Sequence, residues 1–148
     1  MRQLIIAGTI VFGLFASLFA SSVYGQERVY DQGTVWNITY VRTEPGQFDA
    51  YMANLNSLYR PILDEQIKSG LITSYKIISA QPGNTKDWDL MLMIESPNWA
   101  SFDTPQEELD KIMDKVAGSN FDDSSATVDR RKLRQILGGK SGQELVFK

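Results

Sequence analysis

The chain contains no cysteine and no histidine, and those two absences exclude much of the chemistry open to small proteins. Without cysteine there is no disulfide, no thiolate nucleophile and no cysteine metal site. Nor does a leader here carry the lipid-modified cysteine that anchors bacterial lipoproteins. Without histidine the commonest general base and metal ligand is missing, so Ser-His-Asp catalysis and His-ligated zinc, copper or haem are ruled out. A cation site built from carboxylates alone stays formally open, but no cofactor and no metal is expected. Positive charge is also in deficit: the net charge is −3, so the chain gains nothing from neutralising phosphates and nucleic acid is not an expected partner. There are no internal repeats and no low-complexity tracts.

Long apolar runs are absent except at the start. Arg2 provides a positive n-region and Leu4–Ala20 (LIIAGTIVFGLFASLFA) an uncharged apolar stretch. Val23 and Gly25 then stand at −3 and −1 of a cleavage point before Gln26, with Ala20 and Ser22 marking a second. Residues 1–25 are therefore read as a signal peptide, and the mature protein as exported, periplasmic or secreted, without stable membrane insertion after cleavage. The alternative is an uncleaved N-terminal anchor, since the run approaches the length of a spanning helix. About 120 residues remain, enough for one domain to fold without metal or crosslink.

Within the mature chain, 26–33 is polar and reads as a flexible tail, and 34–148 as the domain. Thr34–Arg42 (TVWNITYVR) is rich in β-branched and aromatic residues and predicts a strand. After Glu44-Pro45-Gly46, Phe48, Tyr51, Met52, Leu55, Leu58, Tyr59, Ile62 and Leu63 recur at helical spacing. Pro61 removes a backbone donor inside that helix and predicts a kink, and Gly70 ends it. Leu71–Ala80 and Trp88–Glu95 predict two more strands, close enough to pair as an antiparallel hairpin across the turn at Gln81–Lys86. Thr104-Pro105-Gln106-Glu107 reads as a capping box opening a helix with apolar face Leu109, Ile112, Met113 and Val116, stopped by Gly118. Asn120–Ser125 reads as a loop, Val128–Leu137 as a short helix and Glu144–Lys148 as a last strand. The order β-α-β-β-α-(α)-β predicts an α+β, ferredoxin-like domain with helices on one face of a four-stranded antiparallel sheet.

That order, with Glu44-Pro45-Gly46-Gln47-Phe48 opening the first helix, Tyr59-Arg60-Pro61 inside it and Leu133–Phe147 closing the chain, resembles the dimeric α-β barrel superfamily. The resemblance covers most of 34–148. It implies that two sheets join face to face across a dyad, so a homodimer is expected. Members include cofactor-free monooxygenases of the antibiotic-biosynthesis type, EthD-like and NIPSNAP-like proteins, and haem-dependent enzymes. The branches that require histidine do not apply here, and no member's catalytic signature is matched residue by residue.

The candidate ligand-binding residues are Trp36, Asn37, Tyr40, Arg60, Trp88 and Asp89; no catalytic residue is identified. Trp36 and Tyr40 share one face of the first strand and Asn37 the other. Together with Arg, such groups can hold the anion of a phenolic substrate, although packing is the plainer role for the aromatics. Asn37-Ile38-Thr39 also matches a glycosylation sequon, on a strand where occupancy is not expected. Asp87-Trp88-Asp89 puts two carboxylates on one side of a strand start, where they bind a cation or simply meet water. Arg60 beside Pro61 offers a guanidinium to an anion or to solvent. The Arg130-Arg131-Lys132 run with Arg134 reads as a solvated basic helix face, and the methionines as core. The expectation is a non-enzymatic protein that binds a small apolar or aromatic ligand or a partner. The alternative is a cofactor-free monooxygenase or isomerase acting on a small aromatic or apolar substrate. An enclosed cavity with convergent polar groups favours the alternative; a filled core favours the first.

Overall fold

A computed structural model describes residues 27–118 and 129–148; the leader and the Asn120–Ser125 stretch lie outside the described residues. Four strands, β1 (Tyr30–Thr43), β2 (Ser74–Ser79), β3 (Leu90–Ser96) and β4 (Arg134–Phe147), form one antiparallel sheet in the order β2-β3-β1-β4. The first helix is α1 (Phe48–Asn54) continued, after a π-helical turn at Leu55–Tyr59, by α2 (Arg60–Lys68). A 3-10 turn at Trp99–Asp103 leads into α3 (Gln106–Ala117). Both helical segments lie on one side of the sheet, which is the ferredoxin-like α+β arrangement.

Alternation along the strands fixes which residues meet the helices. Val35, Asn37, Thr39 and Val41 of β1 and Leu90, Leu92, Ile94 and Ser96 of β3 face them; Val35, Val41 and Leu90 are fully buried. Val41, Leu90 and Leu92 pack with Tyr51 and Leu55 of the first helix, and Met52, Tyr59, Ile77 and Leu133 close over that cluster. Burying side chains of this size contributes roughly 1.5–3 kcal/mol each, so this layer is the main source of stability.

Several local expectations are corrected. β1 starts at Tyr30, so the second half of the stretch read as a tail pairs with Leu145–Phe147 instead. In place of a simple kink at Pro61, the helix widens by a residue just before it: the Arg60 amide donates to the Leu55 carbonyl. A proline without an N–H is thereby absorbed in a π turn. Gly70, at φ +74°, ends α2 in the left-handed conformation that favours glycine. The capping box does not form. The Thr104 hydroxyl donates to the Ser101 carbonyl at 2.8 Å, and the helix begins one residue later than the box requires. The short helix expected through Leu137 reaches only Arg131 among the described residues, and β4 takes over at Arg134. β4 is nearly three times the strand expected at Glu144–Lys148, running 14 residues beside β1. It is legible only in retrospect, because Gly138 and Gly139 interrupt its pattern. Gly138 has φ +140°, next to a register shift between Tyr40 and Val41, and a Cβ at Gly139 would sit 2.6 Å from the Ile38 carbonyl oxygen.

The other side of the sheet carries no helix among the described residues. It presents Trp36, Ile38 and Tyr40 of β1, Ile78 of β2, and Met91 and Met93 of β3. Ile38 pairs with Met93, and Met91 with both Tyr40 and Ile78, so these side chains adjoin. Polar groups rim them: Lys76 lies over the Trp36 ring at 4.9 Å, and Thr34 donates to Glu95 at 2.8 Å.

Candidate functional site

Between the first helix and the sheet lies a cavity of about 240 Å³. Its sheet wall is Thr39, Val41 and Leu92, and its helix wall is Tyr51, Asn54, Leu55 and Tyr59. The π turn supplies both Leu55 and Tyr59. Insertion of a residue into a helix turn re-aims the side chains around it, and such turns concentrate at functional sites. The C-terminal segment closes the cavity with Arg130, Arg134 and Ile136.

Among the described residues, every charged group lining this cavity is a guanidinium and none of the lining side chains is acidic. The remaining polar groups are two phenols, one amide and one hydroxyl, all able to donate hydrogen bonds. Arg134, the first residue of β4, sets its guanidinium 5.9 Å from the centre of the Tyr51 ring, and Tyr51 is itself only 2% exposed. The Arg134 Nε is buried without a hydrogen-bond partner among the described residues. Burial first, then the neighbouring phenols of Tyr51 and Tyr75, pushes the Tyr59 hydroxyl up to about 12. At neutral pH it is therefore a phenol that donates, not a base.

The candidates read from the sequence do not converge on this cavity. Trp36 and Tyr40 lie on the helix-free side of the sheet, where Trp88 packs against Tyr40 with ring centres 5.6 Å apart. Asn37 faces the helices but lines a separate pocket of about 290 Å³, with Ile72, Ile94, Ser96, Phe102 and Leu109. Arg60 is solvent-exposed on α2, donating to Asn56 at 3.2 Å and lying 3.6 Å from the Asp64 carboxylate. It borders a groove of about 460 Å³ whose lysines, Lys68 and Lys115, are both matched by Glu65. That groove is larger than the cavity, but its charges are already paired. Asp89 is occupied structurally: its carboxylate accepts from the Thr43 amide at 3.0 Å and from the Thr43 hydroxyl. Asp87 accepts from the Gly83 and Trp88 amides. Among the described residues, no group of three or more acidic side chains is placed to hold a metal ion.

Tyr51, Asn54, Tyr59, Arg130 and Arg134 were thus absent from the sequence-based candidates. Tyr51 and Tyr59 are eight residues apart on the helix stripe, a spacing that puts both on the sheet-facing side. The basic cluster expected to face solvent instead contributes Arg130 and Arg134 to the cavity wall: Arg130 lies in the short helical turn that ends at Arg131, and Arg134 opens β4.

Among the described residues, no helix is long and apolar enough to cross a membrane. No protein-family model and no curated protein sequence matches the chain. Among solved structures, it is similar to a dimeric ferredoxin-like protein from an uncultured marine organism. The two are 9% identical with a TM-score of 0.48, and the match covers 80% of this chain and 90% of that one.

Proposed function

We propose that this chain is an exported, homodimeric α-β barrel protein that binds a small ligand in the cavity between its first helix and the sheet. The observation that carries the reading is the cavity itself, whose lining combines apolar side chains with residues able to donate hydrogen bonds. Its volume of about 240 Å³ suits a ligand smaller than a typical drug. Pairing is supported by the apolar side of the sheet, which a second copy covers with an identical patch across a two-fold axis. Export is supported by the apolar leader and its small-residue cleavage point.

Cofactor-free oxygenation or isomerisation of a small aromatic substrate is the competing reading, and convergent polar groups in an enclosed cavity are what it requires. It also requires a base. Histidine is absent from the chain, and the Tyr59 phenol at about 12 is a poor proton acceptor at neutral pH. Those two facts favour binding over catalysis. Native mass spectrometry of protein purified from its own host tests both halves at once. The expected result is a mature chain beginning near Gln26, at dimer mass, with a retained small molecule lost on collisional activation. A monomer without adduct, still starting at Met1, would overturn the proposal.

A further inference from the structure

Resting on the reading that the helix–sheet cavity holds a small ligand, we infer that this ligand is a carboxylate with a body about one ring in size, and that Arg134 reads its charge. The chain as a whole is acidic, at net −3, yet among the described residues the charged groups lining this cavity are guanidiniums, and Arg134 is the one set against Tyr51. An arginine stays charged at any physiological pH and cannot relieve its burial by losing a proton. The Arg134 Nε nonetheless lies buried with no hydrogen-bond partner among the described residues, and its guanidinium lies over the face of Tyr51. An aromatic face offers partial compensation for a cation but accepts no directed hydrogen bond. A carboxylate entering beside it supplies both the acceptor and the counter-charge, and the fork of a guanidinium matches its geometry.

Among the described residues, the other clusters of cations are matched by carboxylates. Lys68 and Lys115 share Glu65, Arg60 meets Asp64, and Lys132 meets Asp129 at 2.9 Å. Size sets the rest of the ligand. A cavity of about 150 Å³ is enough to hold benzene, so one of about 240 Å³ takes a ring and one carboxylate. Val41, Leu55, Leu92 and Ile136 give that ring apolar walls, and the Tyr59 phenol, kept protonated by its burial, adds a second donor.

The test is isothermal titration calorimetry of the purified protein with benzoate and with benzamide, its neutral counterpart of the same shape. Benzoate is expected to bind roughly ten- to a hundredfold more tightly, the range for a hydrogen bond to a charged group. Arg134→Gln should erase that preference while leaving benzamide binding in place, and the retained benzamide binding reports that the variant is folded. Arg134→Lys should keep part of the preference, and Arg60→Gln, on the outer face of the helix, all of it. Equal binding of both probes to the unaltered protein, or a preference that survives Arg134→Gln, overturns the carboxylate assignment but leaves a binding cavity. Saturable binding of neither probe overturns the cavity reading as well.

Discussion

Replacing Met91 with glutamate tests the pairing of two sheets most sharply. Met91 sits on β3 with Leu90 and Leu92 pointing to the core on either side of it. It therefore faces the helix-free side, between Tyr40 on β1 and Ile78 on β2. In an isolated chain the side chain is half-buried and Ile78 is 41% exposed, so a glutamate there reaches water and the fold survives. In a two-fold dimer the substitution enters the interface twice. Because Met91 is already half-buried in one chain, dimerisation hides only about half of what full burial of a methionine contributes, and losing it at both copies costs the dimer roughly 1.5–3 kcal/mol, before any penalty for desolvating the two carboxylates. At about 1.4 kcal/mol per factor of ten, the dissociation constant rises by roughly one to two powers of ten. Sedimentation velocity over a concentration series, with circular dichroism as the check on folding, reads this directly. Wild type should sediment as a dimer at micromolar concentration and Met91→Glu as a folded monomer or as aggregate. A compact wild-type monomer, or a variant that dimerises as tightly as wild type, would refute the reasoning.

Four further outcomes follow from particular residues. Gly139→Ala places a Cβ 2.6 Å from the Ile38 carbonyl and should cost about 1–3 kcal/mol in urea unfolding; an unchanged midpoint would show that the β1–β4 pairing is not as close as described. Hydrogen bonds from Ser74 and then Thr34 hold the Glu95 carboxyl below its usual 4.5. The stability this ion contributes is therefore complete above about pH 4.5 and is lost as pH falls through the lower, folded value. With no histidine, stability should stay nearly flat between about pH 6 and 8, and a change of several kcal/mol there in urea titrations would contradict this. N-terminal sequencing of exported protein should begin near Gln26, and membrane-bound material starting at Met1 would contradict cleavage.

The architecture was largely legible because its signals are periodic. β-branched and aromatic residues marked β1, the alternation of Leu90, Leu92 and Ile94 with their neighbours marked β3, and the stripe from Phe48 to Leu63 marked the first helix. β4 was not legible, since it is an edge strand of mostly exposed residues that carries Gly138, Gly139 and Gly142. Such a strand is held by its backbone pairing with β1, which leaves no hydrophobic pattern to read. That loss propagated to the site. Reading Val128–Leu137 as one helix assigned Arg134 to solvent, whereas the strand that begins there sets its guanidinium over the Tyr51 ring, and Arg130, in the helical turn before it, lines the same cavity. Trp36 and Tyr40 drew attention as aromatics on β1, and their shared face was predicted correctly, but whether that face meets helices is a tertiary fact. The π turn was equally hidden: Pro61 announces a disturbance, not its form.

A ligand in the cavity lined by Tyr51 and Tyr59 is central to the proposed function. Fluorine NMR of protein labelled with 3-fluorotyrosine reports on that space directly, with resonances assigned by single Tyr→Phe variants. Titration with benzoate and with benzamide should shift the Tyr51 and Tyr59 signals saturably while Tyr40, on the opposite side of the sheet, stays in place. Saturable shifts confined to Tyr40, or none at Tyr51 and Tyr59 with either probe, would contradict it.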